Sequence, residues 1–287
     1  HGESLILHLT DLSTNSLGLE QLGLSPKDLD SLGCILEKPQ GLILVSGPEG
    51  SGKSTTLYAM LRRLVKPDAE IFTLEDPVRY PIAGVTQIEF NRAAGMTLAA
   101  SLKLILKQDP HTVYLEEIRD GESAALAVQT ALSNRRFLSS VNSTDAAGAI
   151  ARLIEMGTDR FTLASALSAS ISQRLVRTIC AACKEPYEPS GQVLVSLGLE
   201  SMAGGRFFRG TGCDACRNTG FRGQTALFEI LVNDNGLRET LLGGADAAGI
   251  RAAAGRDGNF RPLRQDAVNK VLQGVISLED AVTAMRI

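Results

Sequence analysis

GLILVSGPEGSGKSTTLYAM, residues 41–60, constrains the fold more than any other stretch of this chain. An apolar run, LILVS, ends in a glycine-rich turn, and the turn leads into a helical pattern, STTLYAMLRRLV. Strand, tight turn and helix in that order set a helix amino-terminus, with its unpaired N–H groups and positive dipole end, at a sheet edge. GPEGSGKS, Gly47 to Ser54, fits G-x-x-x-x-G-K-[ST] at every fixed position. Gly47, Gly50 and Gly52 let the backbone curl so that its N–H groups, that of Ser51 among them, face the β-phosphate of a nucleotide such as ATP. Lys53 is expected to reach the β- and γ-phosphates, Ser54 to ligate Mg²⁺, and Thr55 to support the α-phosphate side. A loop that only turns the chain does not account for Lys53-Ser54. Glu49 adds a negative charge to an anion-binding loop and is expected to point outward.

From Gly41 to about Ser143, short apolar runs alternate with helical patterns. LILVS, EIFTLED, VTQIEF, TVYLEE and RFLSSVNS read as strands; STTLYAMLRRLV, TLAASLKLILKQ and ESAALAVQTALS read as helices. That alternation predicts an α/β fold with a mostly parallel sheet and helices on both faces. SPKDLDSLGCILEK reads as an earlier helix, with Ser25 as N-cap, Pro26 at its first position and Cys34 on its buried face. AGAIARLIEMG and RFTLASALSASISQRLVRTI continue as helices. From TALFEILVND onward the pattern is mainly helical.

At 287 residues, 44% of them hydrophobic, the chain can hold one large domain and a smaller module. No apolar run approaches the roughly 18 residues of a membrane helix. With 29 Lys+Arg against 32 Asp+Glu and no basic block of five or more, a strongly nucleic-acid-binding surface is disfavoured. ESLILHLTD reads as the last strand of a preceding domain. The expected division is therefore a strand and linker at 1–15, the nucleotide domain at 16–178, a cysteine module at 179–222 and a helical region at 223–287.

HTVYLEEIRD is an apolar strand ending in acid. At this distance past a phosphate loop, such a carboxylate orients attacking water or holds the metal, and Glu117 is the candidate base. LEDP, with Glu75 and Asp76, also ends a strand and should open at the same edge. Asp76 before Pro77 reads equally well as a Mg²⁺ ligand or as a turn former. Cys180-Ala-Ala-Cys183 and Cys213-Asp-Ala-Cys216 are two CxxC pairs 29 residues apart. Four thiolates on two such turns suit tetrahedral Zn²⁺, although the gap exceeds that of a compact zinc ribbon. A redox dithiol is the competing reading for either pair.

GPEGSGKSTTLYAM, FTLEDPVRY, KQDPHTVYLEEIRD, SQRLVRTICAACKEPYE and TGCDACRNTGFRGQTALFEIL together resemble the secretion ATPases of type II secretion and type IV pilus assembly. The resemblance spans essentially the whole chain. It implies a RecA-like P-loop NTPase core with a tetracysteine zinc module and a helical carboxy-terminal region. It further implies a ring hexamer at the cytoplasmic face of the inner membrane, reached through a membrane-anchored recruiter. ATP hydrolysis there would drive pseudopilin or pilin assembly through a platform protein. By the same resemblance Lys53 and Ser54 are the phosphate-loop residues, Glu75 and Asp76 the acidic box, Glu117 the catalytic glutamate with Glu75 assisting, and Cys180, Cys183, Cys213 and Cys216 the Zn²⁺ ligands. Gln173 to Arg177 match a QRLVR segment.

The chain departs from the family at several positions. Glu116 stands where Gly is usual before the catalytic Glu, and Asn142 where a histidine is usual. Arginines expected near the γ-phosphate are missing at or near Ser4, His8, Ala93 and Ala100, and Lys103 and Lys107 stand where arginines are common. An extra carboxylate about 6 Å from a phosphate charge costs about 3 kcal/mol at an effective dielectric near 20. Loss of an arginine finger costs on the order of 10³-fold in rate. Two readings follow. One is a hexameric motor that hydrolyses ATP; the other is an ATP-gated assembly subunit with weak or no hydrolysis.

Overall fold

The computed structural model of this chain describes residues 17–91, 95, 97–197, 206–255 and 260–285. Nine strands are β1 (Gly41–Ser46), β2 (Ile71–Glu75), β3 (Thr86–Glu89), β4 (Thr112–Glu117), β5 (Arg136–Val141), β6 (Leu167–Ile179), β7 (Lys184–Tyr187), β8 (Phe207–Gly210) and β9 (Phe221–Val232) among the described residues. The helices are α1 (Pro26–Glu37), α2 (Lys53–Leu64), α3 (Leu98–Leu106), α4 (Gly121–Leu132), α5 (Ala146–Glu155), α6 (Arg160–Ala166), α7 (Gly191–Leu197), α8 (Asn235–Leu242), α9 (Ala247–Ala254), α10 (Leu263–Leu272) and α11 (Leu278–Met285). The large sheet has seven strands in the order β3-β2-β4-β5-β1-β6-β9. All neighbours are parallel except β6 and β9.

β1 is buried along its whole length, because helices cover both faces of the sheet. Its alternation sorts the core into two layers. Leu42 and Leu44 join Val113, Leu115 and Phe137 against α3, α4, α5, α6, α8 and α9. Ile43 and Val45 join Tyr114 and Leu138 against α1 and α2. A third cluster gathers Val176, Leu194, Phe207 and Leu227 with α10 and α11. Glu229, buried on β9, accepts the N–H groups of Ala146 (3.0 Å) and Leu263 (3.2 Å), so one carboxylate caps the starts of α5 and α10.

The five strands and three helices expected between Gly41 and Ser143 are all present, and α1 begins as expected: Ser25 Oγ accepts the Asp28 N–H at 3.2 Å, with Pro26 following. Three expectations are corrected. Cys34 is exposed, because Leu32, Ile35 and Leu36 form the i, i+3, i+4 stripe of α1 and Cys34 lies off it. Residues 167–179 are strand rather than helix, with only 160–166 helical. Both faces of the sheet are covered at the start of β6, so its first eight residues are all buried and show no period-two alternation. Residues 223–232 are likewise strand, paired antiparallel to β6 from Ala169↔Val232 to Ile179↔Phe221. The expected strand in residues 1–9 lies outside the described residues.

Candidate nucleotide site and metal centre

β1 is central in the sheet, and the chain leaves its carboxyl end into a loop that closes on α2. Gly47, Gly50 and Gly52 take φ of 147°, 73° and 88°, which no side chain adopts without strain. Gly47 is also crowded: a Cβ there would sit 2.5 Å from the Gln173 carbonyl oxygen and 2.5 Å from Ser51 Oγ. The opposing wall is β6. Gln173, 1% exposed, donates from Nε2 to the Ser51 carbonyl at 2.6 Å. The QRLVR segment therefore braces the phosphate loop from the neighbouring strand.

Lys53 opens α2 and folds back over the loop, donating from Nζ to the carbonyls of Gly47 (2.7 Å) and Pro48 (2.9 Å). Burial pushes its pKa below the ordinary lysine value, while Glu117 and Glu49 pull it back up. An ammonium so placed gains from any anion that reaches it. Glu49 is exposed on the loop.

A cleft of about 490 Å³ runs from this loop to the ends of β2, β4 and β5. Lys53, Ser54 and Thr55 line one side; Asp76, Glu116, Glu117, Ser140 and Asn142 line the other, with Arg79 and Arg119. The structure thus brings together the whole phosphate loop, Glu117 and Asp76. A register break between Leu115 and Glu117 in the β4–β5 pairing makes Glu116 the extra residue of a bulge, and Ser140 Oγ donates to its carbonyl at 2.6 Å. Arg119 donates from Nε to Glu117 Oε2 at 2.7 Å. Glu116 is not the bare repulsive charge expected from the sequence. Its Oε2 accepts the Asp76 N–H at 2.7 Å, and its Oε1 lies 3.4 Å from Arg79 Nη2.

Glu75 is set apart from these groups, at 2% exposure. Its Oε1 accepts from Thr73 Oγ1 (2.5 Å) and Gln87 Nε2 (3.1 Å), and its Oε2 accepts from the Tyr58 hydroxyl. Tyr58 in turn accepts the Arg79 N–H at 3.3 Å. Burial first, and then the Glu75 carboxylate, hold the Tyr58 proton well above its usual range. Tyr58→Phe is expected to cost about 1–3 kcal/mol in denaturant unfolding, because it strips a donor from a buried carboxylate.

Among the positions of the missing arginines, Ala100 is exposed on α3, and Ser4, His8 and Ala93 lie outside the described residues. Lys103 pairs with Glu122 at 3.0 Å, and Lys107 ends α3. Arg79 and Arg119 are the site cations that sequence reasoning missed. Each lies within three residues of an acid singled out there, Asp76 or Glu117, and that proximity was the available signal.

Away from the sheet edge, the four Sγ atoms of Cys180, Cys183, Cys213 and Cys216 lie within 4.8 Å of one another. Three of the separations are 3.7, 3.8 and 3.9 Å. A tetrahedron with bonds of about 2.3 Å has edges of about 3.8 Å, so this donor set fits Zn²⁺. Cys216 Sγ accepts N–H groups from Cys213 (3.2 Å) and Gly220 (3.3 Å). Burial alone raises the pKa of that thiol; these donors and the neighbouring thiols bring it down to about 6.

Residues 1–283 match the family described as type II/IV secretion system protein. The chain is 40% identical over 282 residues to the type II secretion system protein E of Dickeya dadantii, covering 98% of this chain and 56% of that protein. It is 38% identical over 284 residues to the type IV pilus assembly ATPase PilB of Thermus thermophilus, covering 98% of this chain and 32% of that protein. The chain therefore spans from about a third to somewhat over half of the length of these relatives. In fold it is similar to the ATPase DotB of Legionella pneumophila, with a TM-score of 0.68 at 19% identity over 94% of this chain and 65% of that one. No described helix is long and apolar enough to cross a membrane.

Proposed function

The chain belongs to the type II/IV secretion system protein family, and from that premise we propose that it is the RecA-like ATPase part of a motor for protein secretion or pilus assembly. The observation that carries this reading is one cleft at a sheet edge that holds a curled, glycine-rich loop, Lys53 and Ser54 on one side and Asp76 and Glu117 on the other. The N–H groups from Gly50 to Thr55 and the Lys53 ammonium bind the triphosphate of ATP. Ser54 and Asp76 would hold Mg²⁺, which supplies neutralising charge at the phosphates. Glu117 takes the proton of the attacking water, and Arg119 fixes the direction of its carboxylate. Glu75 steadies this wall through Tyr58, Thr73 and Gln87 rather than touching phosphate.

The working form is a ring of six copies at the cytoplasmic face of the inner membrane, bound there to a recruiter and a platform protein, as the resemblance to secretion and pilus-assembly ATPases implies; the relatives' names support only the role in secretion or pilus assembly. The cysteine cluster is a closed structural Zn²⁺ site. The proposed division keeps the ATPase domain at 16–178, the zinc module at 179–222 and the remainder at 223–287, with β9 contributed back to the main sheet. Calorimetric titration of the full chain with Mg·ATP tests the reading. Binding is expected, and Lys53→Ala should weaken it at least tenfold; absence of binding by the unaltered chain would overturn it.

A second reading is favoured by Asn142, exposed in the cleft where it can donate a hydrogen bond but cannot exchange a proton as histidine does. In that reading ATP binding gates assembly with little turnover. Phosphate release no faster than that of Lys53→Ala would select it.

A further inference from the structure

We propose that Arg79 is a γ-phosphate-sensing arm, and that Glu116 is the site on which it rests when no triphosphate is present. The inference rests on the nucleotide reading above. Three described cations line the cleft: Lys53, Arg79 and Arg119. Lys53 rests on two loop carbonyls and serves the phosphates from the loop side, and Arg119 is held at 2.7 Å by Glu117. Arg79 differs from both. Among the described residues its charged head meets Glu116 Oε1 alone, at 3.4 Å, and its side chain is 57% exposed. Its base, by contrast, is fixed, because the Arg79 N–H donates to the buried Tyr58 hydroxyl, itself bonded to Glu75. An arm with an anchored base and a loosely held head is built to change partners.

Glu116 is held more firmly than the arm it receives. Its side chain is 16% exposed, it sits on a β-bulge, and its second oxygen accepts the Asp76 N–H at 2.7 Å. When Arg79 leaves, Glu116 therefore stays in the cleft as a carboxylate. A single-contact, half-exposed ion pair contributes little, whereas a guanidinium on a phosphate can make two parallel charge-assisted bonds. The exchange is thus favourable for a ligand that offers enough charge to the Arg79 head. A ligand that does not draw Arg79 across leaves it resting on Glu116 and gains nothing from it. Together the pair raises selectivity for the nucleoside triphosphate over the diphosphate, and ties the loop after β2 to the state of the nucleotide.

The experiment is a double-mutant cycle on the full chain, read as Kd for Mg·ATP and Mg·ADP by displacement of a fluorescent nucleotide. Arg79→Ala is expected to weaken Mg·ATP about tenfold and Mg·ADP less than about threefold. Glu116→Gln keeps an acceptor for the Asp76 N–H, removes the resting charge, and should tighten Mg·ATP about threefold to fivefold. In Arg79→Ala background, that gain should shrink measurably. Equal weakening of both nucleotides by Arg79→Ala would overturn the sensing role. A Glu116→Gln gain undiminished without Arg79 would overturn the resting role. If the unaltered chain and Lys53→Ala both fail to bind either nucleotide, the ATPase reading itself falls and takes this one with it.

Discussion

Glu117→Gln is expected to leave Mg·ATP bound and to lower phosphate release by about 10²–10⁴-fold, the usual loss when a positioned general base is removed. The substitution is chosen for its shape. Gln retains an oxygen at the carboxylate position, so the 2.7 Å bond from Arg119 Nε keeps an acceptor and the end of β4 keeps its form. What is lost is proton affinity and one negative charge facing Lys53. Because burial already depresses the Lys53 pKa and Glu117 partly opposes that, removing the charge leaves the ammonium less well supported, but a bound triphosphate supports it instead. The expected signature is a fall in kcat with little change in the affinity measured by titration. Turnover within about twofold of the unaltered chain would remove Glu117 from the base position. The same assay separates the motor from the gated subunit, since a gated subunit shows no kcat for the variant to lose.

Much of this site was legible in the sequence because its chemistry is local. The phosphate loop is eight consecutive residues whose backbone needs positive φ at fixed places, and only glycine supplies that freely. The five strands leading to and from it were legible because short apolar runs alternate with helical patterns there. β6 and β9 were not, because SASISQR and TALFEI are compatible with helix and only their partners make them strands. Part of the crowding that forbids a side chain at Gly47 comes from the Gln173 carbonyl, 126 positions away by number, which no local pattern could announce; the rest comes from Ser51 within the loop. Glu116 is the most instructive residue. Read along the chain it is one carboxylate too many beside a phosphate; in the fold it meets Arg79 and the Asp76 N–H across 37 and 40 residues. Long-range pairing decides what Glu116 holds when the cleft is empty, and sequence spacing carries no information about that.

Cys213→Ser is expected to reduce bound Zn²⁺ from about one per chain to near none, and to open the segment between Cys180 and Phe221 to proteolysis. The first part follows from geometry: three remaining thiolates no longer close a tetrahedron, and a structural site lacking one ligand admits water. The second follows from what else holds the segment among the described residues. β7 and β8 form only a two-stranded ladder, of a kind that is marginal alone, and their apolar support is Phe207 and Tyr187, packed with Leu194 on the α10–α11 cluster. The cluster also sits where β6 and β9 leave the main sheet, at Ile179↔Phe221, with the Cys180 N–H donating to the Gly220 carbonyl at 2.9 Å. Loss of the metal should therefore fray that end of the β6–β9 pair. It should leave the phosphate loop intact, because Gln173 lies well inside the paired region opposite Phe228. Metal analysis, limited proteolysis and nucleotide titration on the same preparation read the three parts separately. Cleavage unchanged after the metal is gone would show that the thiols alone hold the turn. Loss of ATP binding along with the metal would show that the two sites are coupled through β6 rather than merely joined by it.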